Sequence, residues 1–265
     1  MNKILHVGLD VGSTTVKIIV LDDNQNLIYE NYQRHFSDTK NTVCQVLSDF
    51  ANKYPDYVYT IALTGSGALS AAKFLDLPFI QEVVACKRAV EKYIPQTDVV
   101  IELGGEDAKI IYFGKSIEQR MNGTCAGGTG AFIDQMASLL NTDAAGLNEL
   151  AKNYKMIYPI ASRCGVFAKT DVQPLINEGA NKEDIAASIF QAVVNQTISG
   201  LACGRPIRGN IAFLGGPLNY LSELRNRFIE TLNLDNNSAI IPQDAHLLVA
   251  KGAALDSVNN SAISN

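Results

Sequence analysis

No stretch of this 265-residue chain is apolar over the roughly 18 to 20 residues that a membrane span needs. Its apolar runs, such as Ile18–Leu21 and Ile211–Leu214, are far shorter. The N-terminus, Met1-Asn2-Lys3-Ile4, enters a strand-like run with no apolar leader, so the expectation is a cytoplasmic protein that engages no membrane. Concentrated positive charge is missing too. The 22 Lys and Arg are scattered against 27 Asp and Glu, for a net charge of −5, which leaves no electrostatic footprint for nucleic acid. C-x-x-C does not occur. Five cysteines (Cys44, Cys86, Cys125, Cys164 and Cys203) form an odd set without a secretion signal, so a disulfide framework does not fit. Zinc-finger, thioredoxin and bacterial ferredoxin spacings are likewise absent. Reduced thiols remain, or metal or cluster ligands gathered from separate segments or separate chains. There is no G-x-x-x-x-G-K-[ST], which excludes a P-loop, and Gly65-x-Gly67 lacks the third glycine of a dinucleotide fingerprint.

What is present is a 47% apolar, 18% charged composition, enough for a sizeable core at a length where one core tends to become two lobes. Ile4–Leu9 reads as a strand ending in Asp10. It passes through Gly12-Ser13-Thr14 into a second strand, Val16–Leu21, and a third, Leu27–Tyr32. Thr42–Phe50 and Val83–Tyr93 have helical spacing, with the β-rich run Tyr57–Leu63 between them.

The chain then repeats itself. Asp10-Val11-Gly12-Ser13-Thr14-Thr15-Val16-Lys17-Ile18-Ile19 aligns without a gap on Glu102-Leu103-Gly104-Gly105-Glu106-Asp107-Ala108-Lys109-Ile110-Ile111. Both segments read strand, acid, Gly turn, Lys and β-branched strand, the trace a duplicated lobe leaves. Two Gly-rich helix entries follow, Gly127–Gly130 before Ala131–Leu140 and Cys164-Gly165 before Val166–Asn177. Then come a long helix from Lys182 to about Cys203, a strand Ile211–Leu214, the turn Gly215-Gly216-Pro217, a helix Leu218–Leu232 and a last helix Asp244–Ala254. From Asn259 onward the tail reads as a linker or frayed end.

A hairpin turn of Gly and hydroxyl residues can wrap a phosphate, because Gly permits close approach and the backbone N–H groups face the anion. Ser13 and Thr14 add hydroxyl donors, and Asp10 at the strand end is placed to hold Mg²⁺ through water. Gly8–Thr14, the hairpin Glu102–Lys109 and Leu214-Gly215-Gly216-Pro217 resemble, in order and spacing, the phosphate 1, phosphate 2 and adenosine motifs of the actin, Hsp70 and sugar kinase superfamily. That resemblance implies an α/β, actin-like (ribonuclease H-like) ATPase fold with two duplicated lobes and a nucleotide cleft between them. The lobes would be 1–95, completed by the C-terminal helix 244–256, and 96–243.

Asn122–Gly130, which contains Cys125, and Ser162–Ala168, which contains Cys164, are similar to the two cysteine loops of the 2-hydroxyacyl-CoA dehydratase activases (archerases), the ATPase group shared with benzoyl-CoA reductase subunits. This resemblance implies an ATPase coupled to electron transfer. Cys125 and Cys164 would hold one 4Fe-4S cluster shared across a homodimer. A reduced cluster would pass a low-potential electron to a dehydratase or reductase iron–sulfur protein, with ferredoxin or flavodoxin as donor. ATP would be held by Gly12, Ser13, Thr14, Lys17, Gly104, Gly105, Gly128, Gly215, Gly216 and Gln243. Asp10 and Glu106 would serve catalysis, and Asp107 would be a second Mg²⁺ contact.

Each cysteine precedes a helix, whose N-terminal partial positive charge favours a thiolate and an anionic cluster. Cys44, Cys86 and Cys203 lie among apolar helical residues and read as small hydrophobes. His6, His35 and His246 are isolated and read as packing or surface residues. Glu106 stands where the family usually has Gln, and a carboxylate can still orient or deprotonate the attacking water. Gly127, Gly165 and Lys169 depart from the best-known stand-alone activases and are closer to the subgroup in which the activase is a module of a longer polypeptide. The rival readings are an N-acetylhexosamine-type kinase, for which Asp107 is the motif candidate for the catalytic base, and a nucleotide-gated scaffold without redox chemistry.

Overall fold

The computed structural model describes residues 3–122, 127–162, 164–235, 237–260 and 263–264. The chain divides into two compact units, residues 1–95 with 247–265, and residues 96–246.

In the first unit, β1 (Ile4–Val11) pairs antiparallel with β2 (Thr15–Leu21), which pairs antiparallel with β3 (Leu27–Arg34). On its other edge β1 runs parallel to β4 (Val58–Thr64), reached through α1 (Thr39–Lys53). The period-2 pattern of β2 is read out on two faces. Val16, Ile18 and Val20 pack with Val43, Val46 and Phe50 of α1, whereas Ile19 and Leu21 pack with Leu247, Ala250 and Ala254 at the other end of the chain. Those last residues belong to α10 (Leu248–Ser257) and the turn before it. The helix lies directly on β1: a Cβ on Gly8 would stand 2.1 Å from Ala250 O and 2.3 Å from Ala254 N. It also lies on α3 (Glu82–Tyr93), where a Cβ on Gly252 would stand 1.8 Å from Ala85 O.

The second unit repeats this plan. β5 (Val99–Leu103) pairs antiparallel with β6 (Ala108–Tyr112), which pairs with β7 (Glu118–Met121); β5 also runs parallel to β8 (Ile211–Leu214), itself parallel to β9 (Ala239–Ile240). The two sheet orders, β10-β4-β1-β2-β3 and β7-β6-β5-β8-β9, therefore place a parallel strand beside the first strand of an antiparallel triplet in both units; β10 is Ile263–Ser264. The core of the second unit sets Val99, Ile101, Leu103, Ile110 and Tyr112 against α4 (Gly130–Leu139), α5 (Ala144–Ala151), α6 (Gly165–Asn177), α7 (Lys182–Asn195) and α9 (Ser222–Thr231).

Several expected elements differ. α2 (Ala68–Leu75) and α5 are additional helices, both short and started without a long periodic stripe. The long helix from Lys182 ends its α geometry at Asn195 and continues as a π-helical turn over Gln196–Leu201. The helix expected over Leu218–Leu232 is two helices, α8 (Gly216–Tyr220) and α9, because Leu221 adopts an extended conformation between them. The last helix starts at Leu248, after a turn over Gln243–Leu247. Among the described residues, no helix is long and apolar enough to cross a membrane.

Candidate functional site

The turn Gly12-Ser13-Thr14 hangs between two buried strands, and Gly12 N–H donates to Thr15 O at 2.9 Å. Across the same pair Asp10 lies opposite Lys17, whose Nζ donates to Asp10 Oδ2 at 2.7 Å; Asp10 itself is only 3% exposed. His35, expected to be isolated, braces this turn. Its backbone N–H donates to Thr14 O at 3.1 Å, and its Nε2 is 3.2 Å from Gly12 O. Ser37 N–H donates to Nδ1 at 3.1 Å, so Nδ1 is the acceptor and Nε2 carries the proton that Gly12 O receives. His6 is not isolated either. It is buried, with Nδ1 2.7 Å from Thr60 Oγ1 and Nε2 3.2 Å from Asp23 Oδ1.

The second hairpin matches the first residue for residue. Gly104 N–H donates to Asp107 O at 2.8 Å, and Glu102 lies opposite Lys109. The charges are arranged differently, however. Lys109, 3% exposed, has Nζ 2.8 Å from Asp107 Oδ2 and 4.0 Å from Glu102 Oε1. The turn acid has therefore taken the lysine that the strand acid holds in the first hairpin. Glu106 stands exposed at the tip of the turn.

The turn is tied to α4, since Gly130 N–H donates to Gly104 O at 3.0 Å and Ala131 N–H to Gly105 O at 2.7 Å. A Cβ on Gly130 would lie 3.2 Å from Gly104 O and 3.4 Å from Pro217 Cγ, so Gly130 is where the Gly104-Gly105 turn meets the Gly215-Gly216-Pro217 turn. Gly215 has φ +89° and packs on Leu103, where a Cβ would stand 2.0 Å from the carbonyl oxygen. Its N–H donates to Ala245 O at 3.1 Å, which brings the Gln243 turn alongside, with Gln243 exposed. In the first unit Gly65 does the same work after β4: φ is +105° and a Cβ would stand 2.3 Å from Val11 O. Val11 and Leu103 are equivalent in the repeat, so the Gly65-x-Gly67 pair that fits no dinucleotide fingerprint is the counterpart of Gly215.

Cys164 is the N-cap of α6, half-buried, and the next residue packs on α4, where a Cβ on Gly165 would lie 3.3 Å from Gln135 Oε1 and 3.7 Å from Phe132 Cδ2. Cys125 lies outside the described residues. The irregular segment leading to Cys164 is held by side chains that sequence reasoning did not single out. Lys155 and Met156 N–H groups donate to Asp184 Oδ1 at 2.6 and 3.0 Å, Tyr158 N–H to Ser188 Oγ at 2.8 Å, and Ala161 N–H to Asp171 Oδ2 at 2.7 Å. Those backbone N–H bonds hold the Asp184 carboxyl below the usual range. Asp184 and Ser188 are one helical turn apart on α7, the only trace of this role in the sequence.

Of the remaining cysteines Cys86 is buried, but Cys44 and Cys203 are exposed, contrary to expectation. Cys44 follows Val43 on α1 and turns away from the face of Val43, Val46 and Phe50; Cys203 sits past the π turn at φ +46°.

Two α/β sheets of one plan, each with an acid, a glycine turn and a cross-strand lysine, define an actin-like ATPase fold, which recurs with a TM-score of 0.54 at 14% identity, over 97% of this chain and 99% of that one, in a Chromobacterium violaceum structure described as a putative N-acetylglucosamine kinase, a likeness of fold alone. The chain belongs to the BadF/BadG/BcrA/BcrD ATPase family, whose pattern matches residues 7–256. It is 33% identical over 221 residues to the (R)-2-hydroxyglutaryl-CoA dehydratase activating ATPase of Acidaminococcus fermentans, covering 81% of this chain and 83% of that one. The structure of the activator of the 2-hydroxyisocaproyl-CoA dehydratase from Clostridium difficile with bound ADPNP matches with a TM-score of 0.82 at 27% identity, over 96% of this chain and 94% of that one.

Proposed function

We propose that this chain is an ATP-hydrolysing activator that delivers a low-potential electron to a 2-hydroxyacyl-CoA dehydratase or related acyl-CoA reductase, and that it works as a homodimer. The observation that carries the reading is the position of Cys164 at the N-terminus of α6, against α4, whose own start is hydrogen-bonded to the Gly104-Gly105 turn. A change at that turn thereby reaches the helix that begins just after the Cys125 loop.

Cys164 fits an iron–sulfur cluster: it is a half-buried thiol at a helix N-terminus, whose partial positive charge suits an anionic cluster. Cys125 would supply the second ligand of each chain, and four thiolates require two chains. When bound, the cluster would supply a one-electron carrier between a ferredoxin or flavodoxin donor and the partner's iron–sulfur protein. The chain's own residues do the rest. Asp10, paired with Lys17, holds Mg²⁺ through water, while the Gly12–Thr14 and Gly104-Gly105 turns, Lys17, Gly128, Gly215, Gly216 and Gln243 receive the nucleotide. Glu106 orients the attacking water. Asp107 is ion-paired with Lys109, so a second Mg²⁺ contact, or the general base a sugar kinase needs, would have to share that carboxylate with the lysine.

The test is anaerobic reconstitution with iron counting and sizing in parallel. About two irons per chain in a dimer, with the broad absorption near roughly 400 nm of thiolate-bound iron, is expected. Cys125→Ser and Cys164→Ser should each abolish it, whereas Cys203→Ser should not. Four irons on a monomer, or none on the parent protein, would overturn the reading.

A further inference from the structure

The π-helical turn over Gln196–Leu201 contains no proline, and its first residue carries an anomaly. Gln196 Oε1 is buried and has no hydrogen-bond partner among the described residues. A buried carbonyl left unpaired costs about 1–3 kcal/mol, so the arrangement calls for an explanation. The side chain is held between two glycines, its carboxamide against Gly200 and its methylene stem against Gly128. A Cβ on Gly200, one helical turn on, would stand 2.8 Å from Nε2, and a Cβ on Gly128 would stand 3.1 Å from Gln196 Cγ. Neither glycine could bear a side chain without displacing Gln196. Gly128 is itself buried, with φ +81°, and its N–H makes no hydrogen bond among the described residues. Among the described residues, an acceptor and a donor without partners thus belong to two residues that pack against each other. Two residues further on, Gly130 N–H is bonded to Gly104 O, so a shift of the Gly104-Gly105 turn pulls on the peptide that carries the donor.

We infer that Gln196 is a positioning residue: its carboxamide receives the Gly128 N–H in one nucleotide state and releases it in the other, which sets Gly127–Thr129, ahead of α4, in two discrete positions. This rests on the nucleotide-driven reading above but not on the presence of iron. π-helical turns recur at functional sites, and here the first residue of the turn packs its side chain against Gly128.

Gln196→Leu and Gln196→Glu separate this role from ordinary packing. Without nucleotide, Gln196→Leu should unfold at the same temperature as the parent or higher, because it removes an unpaired acceptor. A lower midpoint would mark a merely structural residue and overturn the inference. Hydrogen exchange of the 127–130 amides is compared with ADP and with a non-hydrolysable ATP analogue. The parent should show up to about tenfold slower exchange in one state, the size one hydrogen bond gives. Gln196→Leu should lose that difference and Gln196→Glu, which keeps an acceptor, should retain it. Equal exchange in both states in the parent protein, or a difference that survives in Gln196→Leu, overturns the inference. Protection of the 102–109 amides by nucleotide, read in the same spectra, reports whether nucleotide binds at all, and so separates failure of this inference from failure of the functional reading.

Discussion

Lys17 and Asp10 face each other across β1 and β2, 2.7 Å apart, and the equivalent pair in the second hairpin, Lys109 and Glu102, stands at 4.0 Å because Lys109 has turned to Asp107. One ancestral arrangement has diverged into two roles. In the first hairpin the strand acid is pinned, and in the second the turn acid is.

Asp10→Asn keeps the shape but removes the charge. It should abolish most ATP hydrolysis while the far-ultraviolet circular dichroism stays that of the parent. Lys17→Met should lose hydrolysis and also lower the unfolding midpoint, since it leaves the 3% exposed Asp10 carboxylate without its partner. Hydrolysis at the parental rate in Asp10→Asn would remove Asp10 from the site.

Glu106 is exposed, and no hydrogen bond or ion pair of its side chain is seen among the described residues. Glu106→Gln should preserve hydrolysis and Glu106→Ala should lower kcat by about 10²-fold with an unchanged midpoint. Parental kcat in the Ala variant would assign the water to another residue.

His35 ties Gly12 O to the loop that carries Ser37. His35→Ala should loosen the Gly12–Thr14 turn, seen as weaker ATP binding by calorimetry, with little effect on the exchange of β1 amides. Unaltered affinity would show that the turn holds its shape unaided.

Asp184 has a lowered folded-state pKa because Lys155 and Met156 N–H groups bond its carboxylate. Its contribution is therefore fully present above the ordinary carboxylate value and is lost as pH falls through the folded one. Asp184→Asn should reduce stability at pH 7 and flatten the fall in thermal midpoint on acidification below about pH 4. A variant with the parent's acid limb would mean that other carboxylates set it.

Gly65 and Gly215 are the matched strand-end glycines at φ +105° and +89°, each against a backbone carbonyl. Either glycine changed to Ala should cost about 1–3 kcal/mol in denaturant titration, because both the dihedral and the contact forbid a side chain. A loss under half a kcal/mol at both sites would contradict the geometry.

The hairpins, their glycine turns and their duplication were legible because strand periodicity, Gly and acid positions are local signals. What was not legible depends on tertiary contact. α2 begins at Gly67 without a side-chain cap, and nothing in Ala68–Leu75 announces a helix start. Leu221 breaks a helical pattern for no local reason; it is held extended by its place in the core. His35 gave no sign of its task because its partner, Gly12 O, is a backbone atom 23 residues away. Asp184 and Ser188 are polar residues near a helix start, yet they bind the irregular approach to Cys164 from a distance in sequence that no motif spans. Of the proposed site, the residues of the two hairpins and the Gly215 turn were visible in advance, and their supports were not.

The seat of α10 on β1, closed by Gly8 and Gly252, has a consequence for how the chain is made. The N-terminal sheet leaves the ribosome with Ile19 and Leu21 uncovered, and the helix that covers them comes from residues 248–257. All of residues 96–246 must be translated in between. At roughly 5–20 residues per second, that interval is on the order of ten to thirty seconds. The middle unit, contiguous in sequence, is free to fold during it. Of the two units, the one begun first is therefore the one finished last, and through that interval Ile19 and Leu21 lie without their cover.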